Sequence, residues 1–150
     1  MLNKSKKIII ISVCILSVIL LILVFLPKFV FLSPITYSNN SDLDVDSNKE
    51  IKVLILDSVK DLFLLGYSAN QNELYATSDP TKIIQCDKDS NISKSLFFII
   101  EKDFMKDLTL NENGEYEVIV KSYFPTSYFC HITITQTDTG YKITNFQLDV

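Results

Sequence analysis

Between Lys7 and Lys28 the chain carries no charge, and the 19 residues from Ile8 to Leu26 are almost all aliphatic. As a helix rising 1.5 Å per residue, such a run reaches about 28 Å, close to the ~30 Å hydrocarbon core of a bilayer. A cleaved secretory signal has a shorter apolar core, about 7–15 residues, and then a small-x-small site. Residues 27–34, PKFVFLSP, offer no such site, and Cys14 follows Val13 in mid-run, where a lipoprotein signal has no use for it. The sequence therefore predicts a retained signal-anchor: residues 1–7 cytoplasmic, residues 8–32 a single transmembrane helix with its interfacial flank. Lys4, Lys6 and Lys7 before the run, against Lys28 after it, point the N-terminus inward by the positive-inside bias. The expectation is a single-pass cell-membrane protein with its C-terminal domain extracellular and the lipid bilayer as one partner. Ser12, Cys14 and Ser17 form no small-xxx-small seam, and their hydroxyls can bond back to carbonyls one turn earlier.

Charge excludes one large class of function. All 14 basic residues are lysines, every one of the 18 acids lies at or beyond Asp42, and ten lysines share that region with them, leaving it at −8. An acidic body without a guanidinium fork is poorly suited to nucleic acid, where counterion release and bidentate arginine contacts carry binding. The lysine-only, Asn- and Ile-rich usage fits a bacterial, AT-rich coding sequence.

Residues 33–48, SPITYSNNSDLDVDSN, read as a polar linker. Asp42, Asp44 and Asp46 alternate as in a calcium loop, but Ser47 and Val53 stand where that loop needs glycine and glutamate, so no metal is expected. Ser47 to Glu50 has the form of a capping box before Ile51, Ile55, Val59, Leu62 and Phe63, which share one helical face, with Gly66 suited to the exit. A short helix around 70–78 ends at Asp79-Pro80, residues 81–86 form a short strand, and Ser93 to Leu108 reads as a third helix on Leu96, Ile99, Ile100, Phe104 and Leu108. The period then changes to two. Three antiparallel strands follow over 115–124, 128–136 and 141–148, and the change of parity between Tyr141/Ile143 and Phe146/Leu148 predicts a bulge near Thr144-Asn145. The expected fold class is α+β: an N-terminal transmembrane helix, then a domain over 49–150 in which helices pack on a curved, cone-like antiparallel sheet.

This element order, ending in the aromatic-Lys-Ile start of GYKITNFQLD at Tyr141-Lys142-Ile143, resembles the nuclear-transport-factor-like branch of the cystatin-like folds over residues 47–150. The resemblance implies a curved sheet wrapped around helices into a cone. In enzymes of that class a His–Asp or Tyr–Asp set inside the hollow moves protons; here the residues available are Asp57, Asp61, Tyr116 and the sole histidine, His131. The polar parity of His131 with Thr133 and Thr135 fits a solvated face equally well, so no catalytic residue and no cofactor is assigned.

Two further features bear on function. Residues 122–129, SYFPTSYF, place Tyr123, Phe124, Tyr128 and Phe129 on the arms of a turn, either as register-fixing packing or as a contact for a ligand or another protein. Cys86 and Cys130 are open to two readings, a disulfide or two buried thiols. The function expected is a membrane-anchored, extracytoplasmic, non-enzymatic binding or assembly module, partnered by another membrane or cell-envelope protein. The alternative is a ligand-binding or proton-transfer cone.

Overall fold

A computed structural model describes residues 11–21, 36–86, 92, 94–95, 99–124 and 127–149, with Phe124 in backbone only. The chain divides into two units, Met1–Pro34 and Ile35–Val150. In the first, residues 11–21 form a helix, α1, in which the Ser17 hydroxyl donates back to the Val13 carbonyl at 2.9 Å. Among the described residues no helix is long and apolar enough to cross a membrane. This overturns the expected single-pass anchor, and the cell-membrane topology with an extracellular domain falls with it; the remainder of the 8–32 segment lies outside the described residues.

The second unit is built on α2 (Val45–Phe63), a short α3 (Gln71–Leu74) and six strands: β1 (Ile84–Cys86), β2 (Ile99–Ile100), β3 (Thr109–Leu110), β4 (Tyr116–Phe124), β5 (Tyr128–Thr137) and β6 (Gly140–Asp149). The cap of α2 lies three residues before the expected one. Asp44, not Ser47, is the N-cap, its carboxylate accepting from the Ser47 N–H at 2.8 Å and the Ser47 hydroxyl at 2.9 Å. Those two bonds hold the Asp44 carboxyl below the usual carboxylate range. The helix ends at Phe63, and the chain reverses at Gly66 with φ 76°.

The sheet runs β1-β6-β5-β4-β2, with β3 also on β4. It is mixed, which corrects the antiparallel expectation: β1 lies parallel to β6, with Ile84 opposite Phe146 and Cys86 opposite Leu148. The meander β4–β5–β6 is antiparallel, and its register shifts so that Thr133 faces Asn145 while Ile134 faces Ile143. Thr144 is thus the extra residue of a bulge, at the place where the parity of the sequence changes.

The expected third helix over 93–108 is absent among the described residues of that segment. Ile99 is exposed while Ile100 is buried, the alternation of a strand; the pair lies on β4 opposite Phe124 and Ser122. A single 3-10 turn, Phe104–Asp107, then buries Phe104 and Met105. Two β-branched residues at a free sheet edge gain ladder bonds there, which outweighs a helical spacing that they only weakly favour.

The core lies between α2 and the inner sheet face. Ile51, Ile55, Val59 and Phe63 of α2 meet Val118, Val120, Ile132, Ile134, Ile143 and Phe146, all essentially without exposure. The polar stretch before α2 is docked rather than solvated: Asn40 and Asn48 are buried and bonded to each other, and Asn40 Nδ2 donates to the Met105 and Leu108 carbonyls at 3.1 and 2.8 Å.

Candidate binding face

Strand alternation sends successive side chains of β4 and β5 to opposite sides of the sheet. The inner set completes the core. The outer set comprises Glu117, Ile119, Lys121 and Tyr123 on β4, and Phe129, His131, Thr133 and Thr135 on β5. Polar residues are the usual solution for a face turned to water. Here Tyr123 is 54% exposed, and Ile119 and Phe129 are 41% exposed each. Phe129 stands opposite Lys121, and Ile119 opposite His131. Phe129 therefore lies diagonal to both Ile119 and Tyr123, at a spacing of about 7–8 Å that large side chains bridge. Ile99, at the adjoining edge, is 52% exposed.

Beside this patch is a hollow of about 300 Å³ lined by Asp107, Thr109, Glu117, Ile119, His131 and Thr133. His131 Nε2 is 3.2 Å from Asp149 Oδ2 on the neighbouring strand, which fixes the ring across the sheet. Glu117 Oε1 accepts from Asn111 Nδ2 at 2.7 Å. Lys121 Nζ is 4.0 Å from Glu101 Oε2, while no lysine among the described residues lies within ion-pair distance of Asp107 or Glu117.

Of the four aromatics singled out in residues 122–129, Tyr123 and Phe129 share this outer face. Tyr128 does not: it is buried and stacks on Phe63 with ring centres 4.9 Å apart. The side chain of Phe124 lies outside the described residues. Ile119 and Ile99 were not anticipated. The parity that placed Val118 and Val120 inward already placed Ile119 outward, whereas Ile99 was hidden by its assignment to a helix.

Of the residues considered for proton transfer, Asp57 and Asp61 lie one turn apart on α2, where both raise the Tyr67 hydroxyl behind its desolvation, but neither Tyr116 nor His131 joins them. Asp57 Oδ1 bonds Lys60 Nζ at 2.7 Å, Asp61 accepts from the Ala69 N–H at 3.2 Å, Tyr116 packs edge-on against Tyr141, and His131 is on the outer face. The inner face, where a cone would have its hollow, is occupied by the aliphatic and aromatic core. Among the described residues no group of three or more His, Cys, Asp or Glu side chains is placed to hold a metal.

Both Cys86 and Cys130 are free thiols. They stand on either side of Leu148, each paired with it in register. Two strand spacings put their Cα atoms about 9.5 Å apart, beyond the ~7 Å a disulfide spans. Burial, with a smaller contribution from nearby Cys86, pushes the Cys130 thiol up to about 12. Burial raises the Cys86 thiol as well. Compared with known protein families, curated proteins and solved structures, the chain matches none.

Proposed function

We propose that the Ile35–Val150 unit is a non-enzymatic binding module whose outer β4–β5 face receives another polypeptide. The observation that carries this reading is the contiguity of Ile119, Phe129 and Tyr123 on a face that strand alternation would otherwise leave polar. Single exposed apolar residues are ordinary, but a cluster that includes two aromatics is the composition of an interface centre. The core-filled inner face and the separation of Tyr116 and His131 from Asp57 and Asp61 support binding over proton-transfer chemistry.

A photo-crosslinking amino acid at position 123 tests it in cells that make the chain natively. A discrete adduct is expected from position 123 and from position 129. None is expected from Leu65, which is also exposed but follows the end of α2. Phe129→Ser should deplete the adduct formed from position 123 without lowering the thermal midpoint, because the side chain is on the solvent face. Indistinguishable adduct patterns from positions 65 and 123 would refute the binding face.

A further inference from the structure

At the β1 edge of the sheet, residues from the end of α2, the start of α3, the turn Pro80–Lys82 and β1 line a hollow of about 390 Å³. Its apolar wall is Leu62, Pro80 and Ile84, all partly buried. It also carries two charges of opposite sign, Asp61 and Lys94. Asp61 accepts from the Ala69 N–H at 3.2 Å and from Nε2 of Gln71, a further lining residue, at 3.5 Å. Lys94 is brought to the hollow by a main-chain clasp on the end of α2. The Ser95 N–H donates to the Phe63 carbonyl and the Ser95 carbonyl accepts from the Leu65 N–H, both at 2.8 Å.

Neither charge is neutralised by the other or by a neighbour. Among the described residues no lysine lies within ion-pair distance of Asp61, since Lys60 is held on Asp57 at 2.7 Å, and no carboxylate lies within that distance of Lys94. The field of Asp61 also reaches a group that lacks a partner. Tyr75 is 3% exposed and its hydroxyl has no hydrogen-bond partner; burial raises that hydroxyl and the Asp61 charge raises it further. A buried polar group without a partner is rare in a native fold and calls for a cause. From this arrangement we infer that the hollow binds a small zwitterion with an apolar body, a free aliphatic amino acid or a dipeptide, its ammonium at Asp61 and its carboxylate at Lys94. The paired but separated charges match the two charged groups of such a molecule, and Leu62, Pro80 and Ile84 receive its side chain. The volume is that of a small-ligand pocket. An ammonium at Asp61 also cancels the field that Tyr75 bears. The site shares no residue with the outer β4–β5 face and stands independently of it.

The probes are L-leucine and leucylleucine, each titrated into the isotope-labelled full chain and followed by backbone amide chemical shifts. Isopentylamine, which lacks the carboxylate, and isocaproate, which lacks the ammonium, separate each charge from the apolar body. Saturable shifts are expected at Leu62, Gln71 and Ile84 and not at Ile119 or Phe129, and the tighter of the two zwitterions identifies the source. Each half-ligand should bind about tenfold more weakly than that zwitterion. In Lys94→Gln, at an exposed side chain, leucine should bind no better than isopentylamine. In Asp61→Asn, which keeps an acceptor for the Ala69 N–H, it should bind no better than isocaproate. Should Asp61→Asn lower the thermal midpoint, Lys94→Gln decides alone. No saturable shift from either zwitterion below about 50 mM, half-ligands that bind as tightly as the zwitterions, or an unchanged preference in the deciding variant overturns the inference.

Discussion

Gly140 closes the last hairpin with φ 111°, a backbone region that side-chain-bearing residues rarely adopt. A Cβ there would also run into the Glu50 carboxylate, whose Oε1 accepts the Tyr141 N–H at 3.0 Å and so ties the hairpin to α2. Backbone strain and displacement of that carboxylate act together, and Gly140→Ala should lower stability by about 2–3 kcal/mol. Gly114, at φ 79°, has open space where its Cβ would go. Gly114→Ala therefore isolates the backbone cost, about 1 kcal/mol. Urea midpoints of the two variants check the comparison, and equal losses would show that the contact with Glu50 contributes nothing. Thr137 to Gly140 is identifiable as a turn from the local sequence, but a glutamate 90 positions earlier closing over it is not, since nothing local to Glu50 records that partner.

Among the elements, the meander was the most legible because a period of two, Asn113-Gly114 and the change of parity before Phe146 all describe one arrangement. Elements fixed by distant partners were not legible in the same way. β1 is three residues long and gains its place only by lying parallel to β6, and Ile99-Ile100 is strand only because β4 offers it an edge. Tyr123 and Phe129 could be read from parity, and the same parity separates them from Tyr128. The segment before α2 looked like solvated linker because Asn40 and Asn48 are polar, yet each is satisfied internally. Asn48 Oδ1 accepts the Asn40 N–H at 2.7 Å, and Asn48 Nδ2 donates to the carbonyls of Asn40, Leu43 and Asp44. Removing one member strands the others in a dry place. Asn48→Ala is expected to cost about 2–3 kcal/mol and to speed amide exchange over residues 36–44 ahead of the sheet. Protection unchanged across that segment would mean that apolar contacts, not this network, hold it down.

For the Ile35–Val150 unit as a whole, burial has a signature in pH as well as in packing. Cys130 is fully enclosed and its thiol is pushed up to about 12. Tyr75 is buried with its hydroxyl unpartnered among the described residues, and desolvation, reinforced by the charge of Asp61, raises it above the ordinary tyrosine value. Desolvation raises Tyr37 and Tyr116 in the same direction. A group raised in the folded state keeps its proton there after the unfolded chain has lost it. The native state then binds more protons, and stability falls as pH rises. The contribution is intact below the unfolded values, about 8.5 for cysteine and about 10 for tyrosine, and is lost progressively above them until the folded value is reached. Urea unfolding at a series of pH values should therefore show a plateau near neutrality. Above about pH 9 a decline should set in, approaching 1.4 kcal/mol per pH unit for each such group, cysteine first and tyrosine after it. Cys130→Val keeps the apolar volume and removes the larger of the two cysteine contributions, leaving that of Cys86, so its decline below the tyrosine value should be shallower than that of the native chain. If native chain and variant both hold their stability through pH 11, water reaches these side chains, and the enclosed core between α2 and the sheet is not as tight as described.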